Sequence, residues 1–345
     1  MFCLSCTRRG RRFSLDGREL YALALLGEGS YGFVHLVEDA ASGARFALKE
    51  LRAAPRADVT REVDAHRAVR HPNVARLIAW SAHDAPPSAS PLARSAEEAG
   101  GAAPCAALLL LTLAARGSLA GAIAAARGAR GGGPPQHAVG EALGEAEALA
   151  LCAGLARGLA AMHSAGLAHR DVNPRNALLP DAGEGGGEGG AVLCDLGSAA
   201  PLLCPLPHKR ACLALCEEAA ARTSTAYRAP ELWDCSPGPP LDGGAADVWA
   251  LGCTLYACAW GASPFEVAAT APGGPLRLVE PCHSRTLGAL ALPPQPRHVG
   301  AGFEALLEEL LAHNPAARPT AAEAGARMEA LLAGGGAAGA AGRGK

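Results

Sequence analysis

The segment Gly27-Glu28-Gly29-Ser30-Tyr31-Gly32-Phe33-Val34 sets three glycines where a tight turn can lie against an anion and donate backbone N–H groups to it. A dinucleotide-binding turn would lead straight into a helix, whereas the run that follows here, FVHLVE, reads as a strand. Fifteen residues past Val34, Ala47-Leu48-Lys49 closes a second strand-like run. An ammonium there can neutralise phosphate oxygens once a carboxylate fixes it, and Glu62 in the next helical stretch is the candidate. Further on, His169-Arg170-Asp171-Val172-Asn173-Pro174-Arg175-Asn176 offers Asp171 as proton acceptor for a hydroxyl and Asn176 as an oxygen ligand for Mg²⁺. Nineteen residues later, Asp195-Leu196-Gly197 supplies a metal carboxylate. Each piece alone fits a bland reading, such as a Gly-rich hairpin or a solvated lysine. Followed in order by Ala229-Pro230-Glu231, Asp247-Val248-Trp249 and Arg318, they point together to transfer of a phosphoryl group.

Two kinds of structure must position these residues. The runs LYALALLG, YGFVHLVE and ARFALKEL within residues 20–51 read as strands separated by turns, and Ala57 to Val69 has helical spacing. Val74 to Ala79 and Ala107 to Thr112 return to strand-like runs. Beyond them helix dominates, over Leu143 to Ser164, Ala245 to Trp260, Ala301 to His313 and Thr320 to Ala333, with a small hairpin expected from Ala177–Leu179 and Ala191–Cys194. The expected fold class is therefore α+β: a small β-rich lobe with one main helix, then a larger helical lobe, with ligand in the cleft. Segments 85–104, 128–135 and 181–190 are rich in Pro, Gly, Ser or Ala without period and read as surface insertions. Residues 1–19 read as a basic Cys-containing tail and 334–345 as a disordered one.

Composition narrows the classes further. Half of the 345 residues are apolar and 19% are charged, enough for a core, so full disorder is excluded. A net charge of −2 argues against a nucleic-acid partner. Apolar runs stop well short of the ~20 residues that span a bilayer, and MFCLSCTRRGRR lacks the apolar core of a secretory signal. The twelve cysteines then read as reduced thiols and the protein as cytoplasmic. Against a background rich in Arg, Ala and Gly, the chain keeps three lysines and four asparagines, which makes Lys49, Asn173 and Asn176 stand out.

Over about residues 20–333 the chain resembles eukaryotic protein kinases, and among them it looks most like the serine/threonine-protein kinase 16 type of the Numb-associated kinase group. REVDAHRAVRHPNVARLIAW, DLGSA in place of the commoner DFG, TAYRAPELW, ADVWALGCTLYACAWGASPF, LPPQPRH and HNPAARPTAAE carry the likeness. The resemblance implies a bilobal kinase fold (N-lobe about 20–113, C-lobe about 116–333) and transfer of the ATP γ-phosphoryl group to Ser/Thr hydroxyls of proteins. It implies that Asp171, Lys49, Glu62 and Asn173 act in catalysis and that Asn176 and Asp195 hold Mg²⁺. Leu26, the loop residues 27–34, Ala47, Lys49, the gatekeeper Leu111 and the hinge Thr112, Leu113 and Ala114 would contact ATP. It also implies a helix within the activation segment, read at Lys209 to Arg222, a hydroxyl near Asp171 from Ser224, and a buried Glu231–Arg318 ion pair.

Two departures matter. Asn173 stands where serine/threonine kinases usually carry a Lys; its amide can hydrogen-bond a phosphoryl oxygen but brings no charge. Restoring Lys is expected to raise turnover, and the alternative reading is a catalytically weak, nucleotide-binding pseudokinase scaffold. The full C-lobe motif set disfavours a small-molecule kinase. At the N-terminus Phe2 replaces the Gly that N-myristoylation needs. Cys3 and Cys6 beside Arg8, Arg9, Arg11 and Arg12 suit palmitoylation and peripheral membrane contact, or else form a solvated basic tail. Two thiolates alone leave a zinc tetrahedron half empty.

Overall fold

The structure, a computed structural model, describes residues 10–29, 32–84, 105–129, 142–180, 190–269, 276–282, 286 and 299–341. It divides into two compact units, 1–70 with 75–113 and 71–74 with 114–345. Cys3, Cys6, Arg8, Arg9, Ser30, Tyr31, segments 85–104 and 181–189 and most of 128–135 lie outside the described residues.

The first unit is an antiparallel sheet with one helix. Strands β1 (Arg12–Leu15), β2 (Arg18–Gly29), β3 (Gly32–Asp39) and β4 (Arg45–Ala54) precede helix α1 (Arg56–Ala68), and β5 (Leu77–Asp84) and β6 (Cys105–Thr112) follow. The spatial order is β1-β2-β3-β4-β6-β5. Successive strand residues point to opposite faces, so each strand serves two environments. One face buries Phe13, Leu15, Leu20, Val37, Leu48 and Leu110. On the other, α1 packs Val59 and Val63 onto Leu51, Ala107 and Leu109.

The first strand corrects the expectation of a tail over 1–19. Arg12-Phe13-Ser14-Leu15 alternates exposed and buried, and pairs with β2 through a two-residue Asp16-Gly17 turn whose φ angles are 51° and 72°. Asp-Gly suits that turn because both central residues need positive φ. The strand expected at Val74–Ala79 begins instead at Leu77. Val74 belongs to the second unit, where its N–H closes a turn onto the His71 carbonyl at 3.0 Å and it bridges Leu193.

The second unit contains α2 (Leu119–Ala129), α3 (Glu145–Ser164), short pairs β7 (Leu167–Ala168) with β10 (Ala200–Pro201) and β8 (Ala177–Leu178) with β9 (Val192–Leu193), and β11 (Leu203–Leu206). Helix α4 (Lys209–Arg222) coincides with the expected helix, and β12 (Gly238–Asp242) pairs with β11. Helices α5 (Gly243–Trp260), α6 (Ala301–Leu310) and α7 (Ala321–Ala341) complete the unit, α7 running on past residue 333 into the segment read as a disordered tail.

Helix α5 is the centre of this unit. Asp242 caps it by accepting N–H bonds from Gly244 and Ala245, and Gly261 ends it in a left-handed conformation, φ 85°. Every residue from Ala246 to Trp260 is buried. Beside it Arg318, with no side-chain exposure, forms a bidentate fork with Glu231 at 2.7 and 3.0 Å. Its guanidinium also donates to the carbonyls of Ala245 and Ala312 and lies over Trp249. Removing one partner of such a pair strands a buried charge. Glu231→Ala should therefore lower unfolding free energy by about 3–5 kcal/mol, read by urea denaturation.

Candidate active site

The first unit brings together the residues expected to meet phosphate. The β2–β3 turn closes through Gly29 opposite Gly32, and β3 returns beside β4. A Cβ at Gly32 would overlap the Glu50 carbonyl oxygen of β4, so this position admits glycine alone. Lys49 lies opposite Val34 on β3 and Leu109 on β6, and Ala47 opposite Leu111, which places all of them on one face of the sheet. Helix α1 covers the Leu109 end of that face and leaves Val34 and Ala47 half-buried. Buried positions Val59, Glu62, Val63 and His66 follow helical spacing, which turns Glu62 inward with the apolar stripe. Glu62 then accepts from the Lys49 ammonium on both carboxylate oxygens, Nζ to Oε1 at 2.7 Å and to Oε2 at 2.9 Å. Leu26 is 50% exposed on β2. Thr112 is tied to Arg76 by its N–H and Oγ1. The chain passes from the first unit to the second between Leu113 and Ala114.

The second unit brings together the residues expected to accept a proton and to hold a metal. Asp247 of α5, 1% exposed, accepts the backbone N–H groups of His169 at 2.8 Å and Arg170 at 2.7 Å, and contacts the His163 ring at 2.9 Å. These bonds hold Arg170 at φ 66°, a conformation costly for a residue with a side chain. His169 accepts the Asp171 N–H at Nδ1, so its proton sits on Nε2, which bonds the Cys194 carbonyl at 3.1 Å. Asp171 Oδ1 accepts the Ser224 N–H at 2.7 Å and Oδ2 accepts Asn176 Nδ2 at 2.8 Å. Asn176 Nδ2 also bonds the Asp171 carbonyl at 2.9 Å, which commits both amide hydrogens and leaves Oδ1 with no partner among the described residues. The Cys194 N–H donates to the Asn176 carbonyl at 2.9 Å, setting Asp195, in left-handed backbone at φ 59°, next in chain to that contact.

Position 173 differs from its expected use. Asn173 Nδ2 donates to the Asp171 carbonyl at 3.0 Å and to Ser224 Oγ at 3.2 Å, while Oδ1 accepts the N–H groups of Arg175 and Asn176. All four bonding positions of the amide are used, so no N–H remains for a phosphoryl oxygen. Its role here is to clip the loop to Ser224.

Helix α4 supplies an anion to the same loop. Arg170, nearly buried, donates to Glu218 Oε2 at 3.3 Å. His208 caps the helix through the Ala211 N–H, and Ser198 Oγ bonds the Arg222 carbonyl at its far end. Thr223 Oγ1 donates to Ala219 and accepts from Arg228, and Thr225 is exposed.

The protein kinase domain family matches residues 21–327. The chain belongs to the protein kinases. Among curated relatives, serine/threonine-protein kinase 16 of Rattus norvegicus is 33% identical over 320 residues, covering 92% of each chain. The Homo sapiens protein of that name is 32% identical over the same coverage. Actin-regulating kinase 1 of Saccharomyces cerevisiae is 29% identical over 51% of this chain and 25% of its own length. The bilobal kinase fold class and ATP-dependent protein kinase activity follow, and the scaffold reading prompted by Asn173 finds no support.

Kinases of this family generally use ATP with Mg²⁺. The residues present fit that ion: Asn176 and Asp195 offer oxygens, and among the described residues no cluster of three His, Cys, Asp or Glu competes for a metal. Mg²⁺ is ordinarily held by one or two protein oxygens with phosphates and water. Asp247, His163 and Glu218 are the functional positions that sequence spacing left without a role. Asp247 was visible only as part of a motif, because nothing local says what a buried carboxylate will hold.

Two outcomes are expected. Mg·ATP at about 100 times its Kd should stabilise the wild type by about 2.7 kcal/mol in thermal-shift titration. Lys49→Met and Asp195→Asn should each remove most of that gain. Asn173→Lys should not raise kcat, because the new side chain cannot accept the Arg175 and Asn176 N–H bonds; steady-state kinetics measure this.

Proposed function

We infer that the chain is a serine/threonine protein kinase in which Lys49, Asp171, Asn176 and Asp195 act on ATP and on a protein hydroxyl. The observation that carries this is the Asp171 carboxylate, held on one oxygen by Ser224 and on the other by Asn176. That grip fixes its lone pairs to receive the proton of a Ser or Thr hydroxyl as the oxygen attacks the γ-phosphorus. Lys49, restrained by Glu62, meets phosphate oxygens with a charge that needs no reorganisation. The β2–β3 turn offers backbone N–H groups to the phosphates, with Val34, Ala47, Leu111 and the 112–114 hinge beside the base. Asn176 Oδ1 and Asp195 would hold Mg²⁺, which would neutralise phosphate charge. Pro174, two residues beyond Val172, suits the serine/threonine pattern better than the tyrosine one.

Peripheral membrane contact through Cys3 and Cys6 is a further part of this reading, supported by the pairing of two acylatable thiols with Arg8, Arg9 and Arg12. Arg11 serves another purpose, since it forks onto the buried Glu50 at 2.7 Å.

Purified protein with radiolabelled ATP and a generic protein substrate should yield phosphoserine and phosphothreonine. Asp171→Ala should reduce the rate about 10²- to 10⁴-fold. Product found only on tyrosine would overturn the assignment.

A further inference from the structure

Beside Asp171, the second unit holds a pocket of about 400 Å³ whose walls include Arg127, Asn173, Arg175, Ser224, Tyr227 and Glu266. Asn173 and Ser224 are the residues that bond the Asp171 backbone and carboxylate, so the pocket adjoins the position of an acceptor hydroxyl. Arg175 is exposed, its backbone N–H is pinned to Asn173 Oδ1 at 2.9 Å, and its guanidinium has no acceptor among the described residues. Arg127 reaches across from α2 to the Gly261 carbonyl at 3.3 Å. The opposing charge, Glu266, closes a capping box by accepting the Ser263 N–H at 3.1 Å. Burial raises the Tyr227 hydroxyl above its ordinary pKa, with Glu266 adding to the shift and Arg175 opposing it. Arg175 and Arg127 thus line the pocket together with Glu266, whose carboxylate is already engaged.

We propose that this pocket selects substrates whose acceptor Ser or Thr is flanked by an anionic side chain, a carboxylate or a phosphorylated residue, which Arg175 and Arg127 bind. The proposal rests on the reading of Asp171 as the acceptor-hydroxyl site. A planar guanidinium pairs with carboxylate or phosphate through two parallel N–H bonds. The flanking residue does not react, so its contact lowers KM and leaves kcat nearly unchanged.

The test uses the full chain and peptides built around one serine, identical except for Glu, phosphoserine, Ala or Arg scanned through the flanking positions. Wild type should favour an anionic peptide over the Ala peptide by about fivefold in kcat/KM for each guanidinium engaged, through KM. Gain with Glu assigns a carboxylate; gain with phosphoserine alone assigns a phosphorylated residue. Arg175→Glu and Arg127→Glu should each move the preference toward the Arg peptide, and Arg175→Gln should remove its share, about fivefold, without reversal. Equal kcat/KM for anionic and Ala peptides, or a preference that survives both charge reversals, overturns the proposal. Turnover of the Ala peptide and its loss in Asp171→Ala report on the underlying site separately.

Discussion

The carboxylate of Asp247 sits 1% exposed near the start of a helix that is buried from Ala246 to Trp260 and carries no other charge there. Dehydrating a carboxylate is costly unless donors replace the lost water, and the donors here are two successive backbone N–H groups and an imidazole. That exchange fixes the loop carrying His169, Arg170 and Asp171 to a helix buried along nearly its whole length. It also sustains the left-handed backbone of Arg170, from which His169 can turn toward Cys194 and Asp171 toward Ser224. The geometry of the proton acceptor is thus inherited from a carboxylate that never meets a substrate.

The same economy of full hydrogen bonding explains Asn173. A lysine at this place would supply positive charge to the transferred group, worth at most about 4 kcal/mol at ~4 Å in a medium of effective dielectric 20. The amide gives up that charge and instead satisfies the Arg175 and Asn176 N–H groups and the Asp171 carbonyl within its own loop, and Ser224 Oγ from 51 residues away. Preorganisation of Asp171 and Ser224 takes the place of direct electrostatic contact. The Lys49 ammonium, expected to meet phosphate, is held by both oxygens of Glu62.

The activation segment is ordered by contacts of its own. Helix α4 buries Cys212, Leu215 and Ala219, and β11 pairs with β12 across its base. Glu218 gives the buried Arg170 a carboxylate from within the segment, and Thr223 is committed to Ala219 and Arg228. Carboxylate, hydroxyl and helix cap hold the strand of chain that presents Ser224 to Asp171.

Much of this was legible in the residues taken in order. Glycine spacing, one lysine closing a strand, a carboxylate on the next helix and the Asp171–Asn176–Asp195 series each report local chemistry, and the helical readings placed α3 and α5 to within a few residues, while α4 followed from the family resemblance. The Asp16-Gly17 turn also carried its message locally, although a basic tail masked it. What the sequence by itself could not assign was partnership. Arg170 meets Asp247 across 77 residues, Asn173 meets Ser224 across 51, and Arg11 leaves the basic tail for Glu50 across 39. A polar side chain announces how many bonds it must make; only packing, which decides where water is excluded, determines with whom it makes them.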